Sequence, residues 1–192
     1  MKKYSILLIA VAFFFQKNLT AVNYVSVANG SWGTKTTWSP QGIPTKADNV
    51  TVNNAVTVGA VSNALNVTVN AAGSLAVTTT SMAVYGKFLN NGTVTGGGKI
   101  GFVTANDTIL AGTGSWSGFT GTFLCEKNNQ IIASGTNLVL GANGTIELYT
   151  IAAPGNVTVT NYGNVVISGT GRLYNNDPAG YAGVWVNGTN SS

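Results

Sequence analysis

NVTVNNAVTVGAVSNALNVTVNAAGSLAV, Asn49 to Val77, sets the pattern of the chain. Four runs alternate apolar with small polar residues: NVTV at 49–52, AVTV at 55–58, LNVTV at 65–69 and SLAV at 74–77. Gly or Asn punctuates between them. β-Branched residues with a period of two read as strands, and the punctuating residues as turns. The signature returns as GTVT at 92–95, KIGF at 99–102, LVL at 138–140, TIEL at 145–148, NVTVT at 156–160, NVVIS at 164–168 and VWV at 184–186. No stretch after residue 21 carries a helical period of 3.6, so the mature chain is expected to be all-β.

Two β architectures compete. A sandwich uses Asn-Gly hairpin turns, and Asn91-Gly92, Asn143-Gly144 and Asn187-Gly188 fit that role. But the units resemble one another: NVTV recurs at 49, 66 and 156, LNNGTV resembles GANGTI, and AGTGSW resembles SGTGRL. Self-similar short strands point to a β-solenoid, each coil adding one layer of parallel strand. A period of about 20 residues implies roughly eight coils, stacked over roughly 40 Å. Val, Ile and Leu are expected inward and Thr and Ser outward. Gly and Asn take corners where φ is positive, and stacked Asn side chains hydrogen-bond up a column. Charge is scarce, which suits columns in which like charges would repel.

The segment before the first repeat, TWSPQGIPTKADNVTV at 37–52, differs in kind. The first coil of a solenoid exposes an apolar end and unpaired backbone groups. Trp32 and Trp38 are large enough to cover that end. Pro40 and Pro44 keep their segment from pairing as a strand, and Asp48 accepts backbone N–H bonds at the start of the first strand. Residues 22–48 are therefore read as an N-terminal cap and 49–192 as the solenoid. The competing reading makes the two Trp a sugar-binding patch. No similar cap appears at the other end, so the solenoid is expected to continue into further coils or to abut a partner there.

Residues 1–21 read as a secretory signal peptide: Lys2 and Lys3, an apolar run from Ile6 to Phe15, and Ala21 as the cleavage residue. The rival is a membrane anchor, but a span needs about 20 apolar residues. Without Lys2, Lys3 and Lys17, the remaining chain has Lys35, Lys46, Lys87, Lys99, Lys127 and Arg172 against Asp48, Asp107, Glu126, Glu147 and Asp177. It is nearly neutral, with no basic run to grip phosphates, so nucleic acid is not an expected partner. Membrane contact is expected only through the signal peptide during export. Cys125 is the one cysteine. In GTFLCEK, alternation places it with Phe123 on one face, a buried inert thiol; the alternative is pairing with a second chain.

GSWGTKTTWSPQGIPTKADNVTV, residues 30–52, resembles the opening of secreted β-solenoid proteins from Bacteroidetes-type bacteria, and the start of the eight-glycine domain of some animal cell-surface proteins. FLNNGTVTGGGKIGF, GTGSWSGFTGTF and GTNLVLGANGTIEL resemble repeats of adhesin-like and autotransporter-like passenger domains. The resemblance implies a right-handed parallel β-helix, exported, displayed at the cell surface, and used for adhesion or as a stalk. It carries over no catalytic residue. Proteins of this kind are often longer and commonly end in a sorting or membrane domain, whereas this chain ends in VNGTNSS.

The residues offer little chemistry. The chain has no His, which removes Ser-His-Asp and Cys-His arrangements and His-ligated metals. GGG at 96–98 lacks the Lys-Ser/Thr of a phosphate loop. Five scattered acids make no calcium cage. Glu126 and Glu147 lie about one coil apart and both read as outward; in register they would stack within about 5 Å, as in a retaining glycosidase. The plainer reading is two solvated strand residues, with Lys127 beside Glu126. Trp116, Tyr149, Tyr162, Tyr174, Tyr181 and Trp185 sit among polar residues, and flat rings stack on sugar faces. Trp116, Tyr149, Tyr174 and Trp185 are taken as glycan contacts; the alternative places several in the core or at corners. Asn-x-Thr/Ser triplets at Asn49, Asn66, Asn91, Asn106, Asn143, Asn156 and Asn187 are read as accidents of an Asn/Thr-rich chain, because several fall within strands.

The expectation is a secreted or cell-surface, non-catalytic structural and adhesive β-solenoid without a cofactor. Its partners are a surface glycan, the extracellular matrix, or copies of itself through the C-terminal end. One alternative is a carbohydrate-binding or polysaccharide-degrading β-helix protein. Another is an ice-binding solenoid, which requires outward Thr arrayed flat on one face.

Overall fold

The computed structural model describes residues 20–105, 107–149, 157–167, 169–176 and 183–189. The expected leader lies outside them apart from Thr20 and Ala21, as do Asn106, Asn156, Asp177 and Tyr181. The chain is a β-solenoid of about seven turns, built from stacked parallel sheets. The only helical element among the described residues is a 3₁₀ turn at Lys35–Thr37.

Each turn contributes a strand to three faces in succession. The first face holds β1 (Asn23–Ser26), β4 (Asn49–Val52), β7 (Asn66–Val69), β10 (Phe88–Asn90), β13 (Thr108–Ala111), β16 (Gln130–Ile132), β19 (Val157–Asn161) and β22 (Gly183–Asn187). The second holds β2 (Gly30–Ser31), β5 (Ala55–Val58), β8 (Ser74–Val77), β11 (Thr93–Gly96) and β14 (Ser115–Phe119), and β17 (Asn137–Val139) and β20 (Asn164–Val166) follow as a separate pair. The third holds β6 (Ser62–Ala64), β9 (Ser81–Val84), β12 (Lys99–Phe102), β15 (Thr122–Cys125), β18 (Thr145–Leu148) and β21 (Leu173–Asn175). Eight rungs on the first face make seven turns, one fewer than expected, and span roughly 34 Å at about 4.8 Å per rung.

Alternation builds the interior. In β4 and β7, Val50 and Val52 stack on Val67 and Val69, all buried, while Thr51 stacks on Thr68 outside. Met82, Ile100, Phe123 and Ile146 form one interior column of the third face, and Val84, Phe102, Cys125 and Leu148 the next. Each such buried side chain contributes about 1.5–3 kcal/mol. On the first and third faces every strand inside the stack pairs on both sides, so few backbone groups there are left to water; on the second face the ladder is interrupted between β14 and β17.

Asn ladders form where expected. Asn49 donates to Asn23 and Asn66 to Asn49, each at 2.8 Å, and Asn70 donates to Asn53 and Asn164 to Asn137. Positive φ falls on Asn129, Asn143, Gly96, Gly112, Gly135 and Gly169. The Asn91-Gly92 and Asn143-Gly144 pairs are corners between parallel strands; neither turns a hairpin.

The first turn already lies within residues 22–48, because β1 pairs in parallel with β4. β3 (Trp38–Ser39) runs antiparallel along the outer edge of β1. Residues 40–48 add no strand, so the third face starts one turn late, at β6.

Candidate functional site

At the N-terminal end, Trp32 continues β2 onto β5 through Trp32 N–H to Thr57 O at 2.9 Å. Its ring meets Trp38 edge-on at 5.1 Å, and Trp38 Nε1 donates to Trp32 O at 2.8 Å. Both rings are buried. Pro44 is buried and Pro40 exposed. Asp48 gathers three donors: Val22 N–H at 3.0 Å, Thr45 N–H at 2.9 Å and the Thr45 hydroxyl at 2.6 Å. Burial works against its ionisation, but the Thr45 hydroxyl and the two N–H groups outweigh it and hold the carboxyl below its ordinary range. Trp32, Trp38, Pro44 and Asp48 are thus buried at this end of the stack, while Pro40 is not.

The aromatic residues expected to contact glycan divide. Trp116 is 1% exposed and belongs to the core, packed with Phe88, Phe119 and Phe123. Its neighbours Ser115 and Ser117 point outward, so alternation turns the indole inward and removes it as a surface contact. Trp185 also stands in an interior column, next to Val159. It is half-buried, and its Nε1 donates to Asn187 Oδ1 at 3.0 Å. It lines a small cleft of about 200 Å³ with Leu173, Val165 and Ile167.

Tyr149 and Tyr174 are outward, on the third face. One outward column there runs Ala83, Gly101, Leu124, Glu147, Tyr174. Beside it, at the corner, backbone bonds from each residue to the preceding turn align Tyr85, Val103, Glu126, Tyr149 and Asn176. Glu147 therefore stacks between Leu124 and Tyr174, and Glu126 lies level with Tyr149. The two carboxylates are in different columns, so the stacked pair expected from the sequence is not formed. The reason is turn length: this turn holds 23 residues, Leu124 to Glu147, where 21 were needed.

The cluster is nonetheless specific. Glu147 is buried and accepts Asn176 Nδ2 at 2.6 Å. Arg172 lies over the Tyr174 ring, Cζ 5.3 Å from its centroid. Burial, then the hydrogen bond and charge of Glu147, push the Tyr174 phenol up, with Arg172 opposing. Burial likewise pushes the Glu126 carboxyl up, against the pull of Lys127. The neighbouring Cys125 thiol, wholly interior, is pushed up to about 12.

A regularity that sequence reading missed appears once the three faces are drawn. The segments that lead into the next first-face strand, from the third face or, in the first turn, from β3, hold Lys46 and Asp48, Lys87, Asp107, and Glu126 with Lys127. The corners between the first and second faces, at 27–29, 53–54, 70–73, 91–92, 112–114, 133–136 and 162–163, hold no charged residue. Those between the second and third hold only Arg172. Six of the ten charged residues described thus lie along one edge of the prism with Tyr85 and Tyr149, which only the register reveals; Lys35, Lys99, Glu147 and Arg172 lie elsewhere.

Outward Thr spreads over all three faces. Thr51 and Thr68 stack and then give way to Leu89, and Thr57 and Thr95 are separated by Ala76. No face among the described residues carries a continuous Thr array. No group of three or more His, Cys, Asp or Glu able to hold a metal forms among them either. No helix among them is long and apolar enough to cross a membrane.

The fold defines a non-globular repeat protein, a parallel β-solenoid with one chemically differentiated edge. Comparison with protein-family models, curated proteins and solved structures finds no match to the chain.

Proposed function

We propose that the chain is an exported, cell-surface structural and adhesive module, without catalytic activity, that contacts a glycan along its differentiated edge. The observation that carries this reading is the gathering of six of the ten charged residues described, Lys46, Asp48, Lys87, Asp107, Glu126 and Lys127, with Tyr85 and Tyr149, in the segments that enter first-face strands. Exposed, chemically distinct loops on a rigid scaffold are where binding usually resides. Tyr149, and the face of Tyr174 that Arg172 leaves uncovered, offer flat rings to sugar faces, and Glu126, Asn176 and Arg172 offer hydrogen bonds beside them. The resemblance of residues 30–52 to secreted Bacteroidetes-type solenoids and to the eight-glycine domain supports export and display. The offset of Glu126 from Glu147 favours binding over cleavage. The test is a polysaccharide array probed with residues 22–192. Retention that drops at least tenfold in a Tyr149→Ala/Tyr174→Ala variant supports the reading; no retention, or release of cleaved sugar, overturns it.

A second contact, with copies of the chain, is favoured by exposed Leu173 beside the half-buried Trp185, and by exposed Val184 and Val186 on the outer side of the same last strand. Sedimentation that is independent of concentration would remove it.

A further inference from the structure

On the first face, across the same edge from the tyrosines, lies a cleft of about 390 Å³ lined by Asn66, Val67, Thr68, Lys87, Leu89 and Asp107. Small-molecule sites occupy about 300–1,000 Å³. Its origin is local. The ladder Asn23–Asn49–Asn66 fills the outer column for three rungs and then stops, because the next rung presents Lys87. The Asn66 carbonyl oxygen turns to accept Lys87 N–H at 2.7 Å, resting where a Cβ on Gly86 would come within 2.3 Å. On the following rung, Asp107 is pinned by Thr108 N–H on its Oδ1 at 2.7 Å and by Ile131 N–H on its backbone oxygen at 2.9 Å. Thr68 and Leu89, stacked in register, form the floor.

Lys87 and Asp107 are both exposed, and among the described residues neither joins an ion pair. In a chain with so few charges, a cation and an anion at one cleft select strongly. An anionic ligand is attracted by Lys87 and repelled by Asp107, and a cationic ligand meets the reverse. A nucleic acid finds one cation beside an anion. An extended peptide cannot add as a strand, because β7 and β10 are paired on both sides and offer no edge. A hydroxyl, in contrast, both donates and accepts: it donates a hydrogen bond to the Asp107 carboxylate while a neighbouring hydroxyl accepts one from the Lys87 ammonium. The aliphatic floor takes the C–H face of a ring.

We propose that this cleft is a binding site for a neutral sugar, a pyranose whose adjacent hydroxyls bridge Lys87 and Asp107 over Thr68 and Leu89. The site is separate from the tyrosine columns and does not depend on them.

Methyl and amide NMR of residues 22–192, titrated with malto-, cello- and mannohexaose, with an oligogalacturonate and with a chitosan oligomer, tests it. At least one neutral hexaose is expected to shift Leu89 and Thr68 methyl signals, and to do so more tightly than either charged oligomer. Asp107→Asn and Lys87→Gln should each weaken that binding at least tenfold, while Tyr149→Ala/Tyr174→Ala leaves it unchanged. Both cleft substitutions are on exposed side chains, and an unaltered amide spectrum verifies the fold. Unmoved Leu89 and Thr68 signals with all five ligands overturn the site, as does preference for a charged oligomer or wild-type affinity in both cleft variants. Shifts at Tyr149 and Tyr174 alone would overturn this site and leave the tyrosine contact of the proposed function standing; shifts at the cleft alone would leave this site standing and overturn the tyrosine contact.

Discussion

The carboxylate of Glu126 rests against Gly101 of the preceding turn, so close that a Cβ on Gly101 would stand 2.7 Å from Oε1. The missing side chain makes room for a carboxyl on a sheet face where a neighbour would otherwise expel it into water. Gly101→Ala is expected to displace the flexible end of Glu126, return its pKa toward the ordinary carboxylate range, and change stability by no more than about 1 kcal/mol. Carboxyl NMR titration measures it. The folded pKa lies above the unfolded one, so this group favours the folded state at low pH and that contribution is lost as pH rises through the folded value. Glu126→Gln should therefore flatten the stability profile on the acid side of neutrality.

Asp48 behaves in the opposite sense. Its carboxyl is held low, so its stabilisation is present above the unfolded pKa and lost as pH falls through the folded one. Asp48→Ala leaves Val22 and Thr45 donors unpaired in a part-buried setting and is expected to cost about 1–3 kcal/mol. Urea unfolding between neutral pH and strong acid should show a loss in the native chain that is absent from the Ala variant.

Gly112 has φ +101°, and a Cβ there would lie 2.0 Å from the backbone oxygen of Asn90. Neither the torsion nor a ladder carbonyl yields easily, so Gly112→Ala is expected to cost about 3 kcal/mol or more. Gly59, with nothing within 4 Å of its built Cβ, is the control: Gly59→Ala should stay within about 0.5 kcal/mol. Thermal unfolding of the pair separates a corner that needs glycine from one that tolerates it.

The Cys125 thiol should be inert toward alkylating reagents in the native protein at pH 8 and react once urea unfolds the chain. With a folded pKa pushed up to about 12, the unfolded state loses its thiol proton first as pH rises above about 8.5. Stability should therefore fall with pH between those values, by up to about 1.4 kcal/mol per pH unit from this group. Cys125→Ala, compared over the same range, should lack that component; equal slopes would count against the burial of the thiol.

Much of the fold was legible. Residues 49–52, 55–58, 74–77, 99–102 and 145–148 form strands with the bounds their alternation marks. Asn ladders and glycine corners also followed from composition, and the absence of long helices among the described residues from the missing 3.6 period. Ser62–Ala64, Phe88–Asn90 and Gln130–Ile132 did not, because three residues are too few to display a period. Register was the larger gap. Turns run from 17 residues, Asn49 to Asn66, to 29, Gln130 to Val159. A uniform period of 20 therefore misplaces side chains on different turns, as it did for Glu126 and Glu147. Trp116 was misread for another reason: polar neighbours in sequence signal an outward position on a loop, but on a strand they signal the reverse.

The segments joining the third face to the first differ in length from turn to turn: Leu65 alone, then 85–87, 103–107 and 126–129. Each leaves one rung and rejoins the next without altering which strands pair. New residues placed there add reach and chemistry outside the ladder, with no backbone donor or acceptor withdrawn from it. A different surface chemistry can therefore be built along that single margin, turn by turn, while the aliphatic interior that holds the protein folded is left as it is.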